Sequence, residues 1–191
     1  MSTHPILLVI DVQNGFVNEH SRHVVPIIRD LAEQWTNAGG ATLFTRYHNY
    51  EGSPYQRLIG WNGLREAPQT DLVPDLRPLA DAPGAQVLDK VTYTALTDDG
   101  RRMLTGYTDL YICGIATDGC VLKTALDAFD SGYTPWIIED ACASNATRHP
   151  AAEVHQSALT LLSRLIGSRQ LIQSAAVREV IATAPTQRHS A

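Results

Sequence analysis

The 191-residue chain lacks the marks of several functional classes. Its three cysteines are an odd number with no CxxC pair, so neither a disulfide framework nor a structural zinc site is expected. Long apolar runs are missing too. Residues Ile6 to Ile10 form a run far too short for a signal peptide or a membrane span, and no basic leader precedes it. A cytoplasmic protein with no membrane partner is the expectation. Lys and Arg number 15 against 20 Asp and Glu, and the net charge of −5 offers no basic face to nucleic acid. Asp11-Val12-Gln13-Asn14-Gly15-Phe16 follows the first apolar run without GxGxxG or GxxxxGK[ST], which argues against a nucleotide-binding module. A phosphoacceptor receiver needs adjacent acids at that point, and Ile10-Asp11-Val12 has one.

What is present fits a single globular domain. Hydrophobic residues make up 44% and charged residues 18%, an ordinary balance, and a chain of this length can bury roughly 70% of its unfolded surface. Short apolar runs at 6–12, 41–47, 85–90, 109–115, 134–141 and 169–175 read as strands, most of them apolar on both faces, as strands covered from both sides must be. Helical patterns lie between them. Ile27, Ile28, Leu31 and Trp35 share a face, with Pro26 near the start and Gly39-Gly40 as terminator. Val121, Leu122, Ala125 and Phe129 line a second helix ending at Gly132, and a third covers about 151–166. This alternation predicts an α/β fold, a doubly wound, six-stranded parallel sheet flanked by helices, in one domain over residues 1–191. The last eight or so residues read as a flexible tail. Residues 49–77, rich in Pro, Gly and aromatics, are too long for a plain connection, and such loops usually serve function.

Three residues fall at strand ends: Asp11 after the first, Lys90 after the third and Cys120 just past the fourth. Carboxyl ends of parallel strands share one edge, where ligands bind at a topological switch point. Alone, each has an ordinary explanation: a turn former, an exposed charge, a small core residue. Together they suit nucleophilic catalysis. A thiol is only about 3% ionised at pH 7, and a helix N-terminus with a nearby ammonium can lower its pKa to roughly 3.5–7.5. Asp11 would take the thiol proton and return one to the leaving group. Cys113 and Cys142 sit within apolar runs and read as core.

At this point the chain resembles the isochorismatase-like cysteine hydrolases, which include nicotinamidases, carbamoylsarcosine amidohydrolases and isochorismatases. The resemblance covers roughly residues 5–180. It rests on LLVIDVQNGF at the first strand, VLDKVTYTAL around the lysine, and ICGIATDGCVLKTALDAFDSGY followed by the strand ending EDAC. It implies a parallel six-stranded sheet and a catalytic triad of Asp11, Lys90 and Cys120. It also implies a cis peptide between Ile115 and Ala116, with the N–H groups of Ala116 and Cys120 as an oxyanion hole. The implied reaction is attack on an amide-like carbonyl, a thioester, and its hydrolysis, on a small amide, ureido or carbamoyl compound.

The chain departs from the nicotinamidase pattern, which carries Asp-x-His and a second His to bind a metal. Arg46 stands where the aspartate is wanted, and His48 has no second histidine before His149, so no metal and no other cofactor is expected. Candidate pocket residues are Gln13, Phe16, Arg46, Tyr47, His48, Tyr55 and Trp61, with Tyr50 in the same segment. Arg46 and Arg57 are candidates to grip a substrate carboxylate. Other readings remain: vinyl ether cleavage as in isochorismatases proper, a nicotinamidase, or a silent scaffold of the same fold. Partners are expected to be a small-molecule substrate and copies of the chain itself, in a homodimer or homotetramer.

Overall fold

Strand β1 (Pro5–Ile10) is almost wholly apolar and buried, and it sits in the middle of a six-stranded parallel sheet. The computed structural model describes residues 4–183. Strands β2 (Thr42–Tyr47) and β3 (Ala85–Lys90) lie to one side of β1, and β4 (Asp109–Ile115), β5 (Thr134–Ala143) and β6 (Leu171–Ile172) to the other, in the order β3-β2-β1-β4-β5-β6. Burial follows position. All seven residues of β4 are buried, while edge strand β3 alternates between exposed and buried.

Helix α1 (Val24–Asn37) returns the chain from β1 toward β2, and α2 (Arg77–Ala80) packs beside it. Helix α3 (Asp98–Met103) precedes the jump across the sheet to β4. Helices α4 (Leu122–Asp130) and α5 (Ala151–Ile166) carry the chain the opposite way and pack on each other, while α6 (Ser174–Thr183) packs on α1. Right-handed crossovers in opposite directions put α1 and α4 on opposite faces, which is what double winding means. The strand order reverses between β1 and β4, so a crevice opens at their carboxyl ends.

Gly114 lets those two ends approach closely. It pairs with Ile10 at φ 126°, and a Cβ there would lie 2.1 Å from the Ile10 carbonyl oxygen. Only glycine fits both the conformation and the space.

Several boundaries differ from the periodicity reading. The first strand ends at Ile10 because Asp11 turns to φ 50°, out of the sheet. The sixth strand keeps two residues, since a 3-10 turn occupies Ser168–Gln170 and α6 begins at Ser174. The buried stripe runs from Val121, just before α4, through Thr124, Ala125 and Ala128 within it, so Phe129 falls one position off and is 49% exposed. The expected tail lies outside the described residues.

Candidate active site

Asp11 leaves β1 in the left-handed region, an uncommon place for a non-glycine residue, and its side chain is fully buried. Thr45 of β2 fixes it twice. The Asp11 N–H donates to Thr45 Oγ1 at 3.1 Å, and that hydroxyl donates to Asp11 Oδ1 at 2.6 Å. The other carboxylate oxygen, Oδ2, accepts from Lys90 Nζ at 2.6 Å. Lys90 ends β3, two strands away, and its ammonium also donates to the carbonyls of Thr92 at 2.9 Å and Tyr93 at 3.1 Å. All three ammonium donors are therefore used. Burial, the largest single influence, pushes the Lys90 pKa down, but the Asp11 carboxylate pulls it up and the net direction is upward, so the group stays protonated.

Cys120 comes from a π-helical turn, Thr117–Val121, that joins β4 to α4. The Ile115–Ala116 peptide before it is cis, and the Ala116 carbonyl accepts from the N–H of Gly119 at 3.0 Å and of Val121 at 3.1 Å. The thiol is 5% exposed and within hydrogen-bonding reach of both Asp11 and Lys90. The three strand-end residues thus meet at one point. Their electrostatics differ from the sequence expectation of a preformed thiolate. Burial and the Asp11 carboxylate push the Cys120 pKa well up, and Lys90 pulls it down without reversing them, so the resting group is a thiol. A thiol beside a carboxylate that can accept its proton is poised for base-assisted attack.

A cavity of about 790 Å³ opens over Cys120. Phe16, Tyr47, Tyr55, Trp61 and Tyr93 form an aromatic wall, with Asn145 to His149 on its rim. Phe16 stacks on Trp61 at 5.6 Å and 10°, while Tyr55 meets Tyr47 and Tyr93 edge-on, each at 4.9 Å. Of the pocket candidates read from sequence, Phe16, Tyr47, Tyr55 and Trp61 line this cavity.

Gln13, Arg46 and His48 do not line it. Gln13 is buried: its side-chain amide donates to the carbonyls of Tyr47 at 2.9 Å and Thr70 at 2.8 Å and accepts from the Tyr47 N–H at 2.8 Å, tying the β1 turn to β2 and the long loop. Arg46 grips Asp89, its register partner on β3, with Nε at 2.7 Å and Nη2 at 2.9 Å from the two carboxylate oxygens. His48 Nε2 meets the same carboxylate at 3.1 Å. Alternation explains this: with Tyr47 turned to the cavity, Arg46 on the same strand faces the other way. Arg57 donates to the Gly52 carbonyl at 3.0 Å within its own loop, and Tyr50 is 48% exposed. Neither arginine is placed to hold a substrate carboxylate.

The donors near His48 do not fit a divalent metal. A guanidinium already engages both oxygens of Asp89, and among the described residues no three His, Cys, Asp or Glu side chains cluster as metal ligands. Sequence reading missed Thr45, Tyr93 and the rim residues Asn145 to His149. The rim follows β5, whose carboxyl end shares the edge of β1 and β4, so topology was the signal that could have found it.

The isochorismatase domain model matches residues 5–168. The nicotinamidase of Acinetobacter baylyi is 25% identical over 207 residues, covering 87% of this chain and 94% of that protein. A shorter stretch, 73 residues at 37% identity, matches the secreted isochorismatase effector Isc1 of Phytophthora sojae, and it spans 36% of this chain and 35% of that one. Among solved structures, nicotinamidase PncA from Bacillus subtilis superposes with a TM-score of 0.78 at 26% identity, over 90% of this chain and 100% of the other. The domain match, the strand order and the architecture agree, and the chain belongs to the isochorismatase family.

Proposed function

We propose that the protein is a cysteine hydrolase that cleaves the C–N bond of a small amide, ureido or carbamoyl compound through a thioester. The observation that carries this reading is the placement of Cys120 on the floor of the cavity, beside the buried Asp11–Lys90 pair.

In this mechanism the Cys120 sulfur bonds to the substrate carbonyl carbon while its proton passes to Asp11. The carbonyl oxygen becomes an oxyanion and accepts from the N–H groups of Ala116 and Cys120; loss of one such donor typically costs about 10²–10³ in rate. The C–N bond then breaks, and Asp11 returns the proton to the departing nitrogen, which leaves as ammonia or an amine. A water molecule attacks the thioester and gives its proton to Asp11. The C–S bond breaks, the acid or carbamate product leaves, and the sulfur recovers its proton. Lys90 stays charged throughout, holding the carboxylate in place and offsetting negative charge on sulfur.

The nicotinamidase names of the relatives favour an amide, and an aromatic wall suits a planar substrate. The metal that nicotinamidases use has no matching donors here, so nicotinamide itself is a poorer choice than an amide held by stacking alone. A thiol at the reacting position favours acyl transfer over vinyl ether cleavage. Cytoplasmic placement and a homodimer or homotetramer belong to the same reading; no described helix is long and apolar enough to cross a membrane.

The test is ammonia release across a panel of small primary amides, ureido acids and carbamoyl compounds, with pyruvate release from isochorismate as the contrast. Turnover of at least one C–N substrate that disappears in Cys120→Ala supports the reading. Turnover that survives the substitution, or pyruvate release alone, sinks it.

A further inference from the structure

Thr117 opens the turn that carries Cys120, and it is fully buried. Its hydroxyl pairs with Nδ1 of His155 at 2.8 Å. His155 sits on α5 and does not line the cavity. We infer that His155 is a positioning residue for the nucleophile, acting through Thr117 to hold the Thr117–Val121 turn in the frame that aims the Cys120 sulfur and the proposed oxyanion-hole N–H groups at the substrate carbonyl. This inference rests on Cys120 being the nucleophile.

A buried hydroxyl without a partner loses its hydration and gains nothing, so Thr117 would reorient to find another acceptor once His155 is gone. Thr117 is three residues from Cys120 within the same turn, so its reorientation shifts the thiol and the local N–H groups together. Catalytic geometry tolerates little of this, and a misplacement of about 1 Å can cost roughly a hundredfold in rate. Burial, chiefly, with help from His23 and opposed by Asp118, lowers the His155 pKa and keeps the ring neutral at pH 7. A neutral imidazole pairs with a hydroxyl in either tautomer.

The probe is p-nitrophenyl acetate, followed in the first turnover. Cys120 sulfur bonds to the acetyl carbon, the thiol proton passes to Asp11, and the bond to p-nitrophenolate breaks, giving yellow product whose rate of appearance, with the protein in excess over the ester, reports acylation. In His155→Ala the full amount of ester should still be cleaved while the rate falls by about ten- to a hundredfold. His155→Asn, whose side-chain amide places a polar atom where Nδ1 stood, should recover most of the rate. Thr117→Val, which approaches the same bond from its other end, should slow acylation by a similar factor, and the double variant should be no slower than the slower single one. Alanine is a strong helix former at this half-buried position, so the fold should persist.

A parental rate in His155→Ala, or fully additive losses in the double variant, overturns the inference while leaving the nucleophile intact. A parent chain that releases no p-nitrophenolate above the uncatalysed rate, or release that survives Cys120→Ala, overturns the nucleophile assignment and this inference with it.

Discussion

Lys90 Nζ lies 2.6 Å from Asp11 Oδ2, and neither side chain is exposed to solvent at all. The pair joins the ends of β1 and β3 across the intervening β2. Desolvating two charges is costly, and the cost is offset here by short contact and by bonds to Thr45, Thr92 and Tyr93.

Removing one partner should therefore do more harm than removing both. Lys90→Met leaves a buried carboxylate without its cation and should lower unfolding free energy by about 3–5 kcal/mol. Asp11→Asn with Lys90→Met should recover much of that stability, since asparagine tolerates φ 50°. Turnover should stay lost in the double variant, by about 10²–10⁴ for the missing proton acceptor, and should fall in Lys90→Met as well, where the carboxylate remains but its holding cation is gone. Urea denaturation and ammonia release measure the two effects separately.

Stability should fall in alkaline solution. Burial raises the thiol pKa of Cys113, Cys120 and Cys142, the last to about 12. A group whose acidity is weakened by folding contributes stability that is complete below its unfolded pKa, about 8.5 for cysteine, and is lost as pH rises toward the folded value. The melting temperature should thus hold up to about pH 8 and drop between there and pH 12. Cys142→Ala should flatten part of that drop.

Chelation should leave turnover unchanged. Asp89 is engaged by Arg46 and His48, so no ligand set waits there for a metal. Prolonged EDTA treatment followed by gel filtration should give the starting rate. A loss restored by zinc or iron would contradict the assignment of Arg46.

Trp61 should matter for binding more than for chemistry. It stacks on Phe16 in the cavity wall but is absent from the proton-transfer chain. Trp61→Ala should raise KM by about tenfold, equivalent to ~1.4 kcal/mol, with a smaller change in kcat. A fall in kcat alone would place the ring nearer the reacting atoms.

Much of the site was legible because parallel topology converts strand ends into neighbours. The six apolar runs put Asp11, Lys90 and Cys120 at one sheet edge, and their reading as a triad came from the resemblance to the cysteine hydrolases. Thr45 was not legible, since a threonine inside a strand is ordinary and its role depends on the depth of Asp11. Arg46 and His48 were misplaced because a segment rich in aromatics was taken whole, without alternating its faces about Tyr47. The protonated thiol was hidden for another reason: a helix start and an ammonium argue one way, and only the burial of the sulfur and the proximity of Asp11 show that they lose. The sixth strand overran because residues 169–175 look uniformly extended, whereas Ser168–Gln170 coils into a 3-10 turn.

The most direct measurement is the intact mass of the chain, quenched in acid during turnover of a C–N substrate, with the adduct mapped by peptide digestion. The account predicts an added acyl group on the peptide carrying Cys120, abolished in Cys120→Ala and in Asp11→Asn. Unmodified Cys120 throughout, with hydrolysis continuing at full rate in Cys120→Ala, would contradict it.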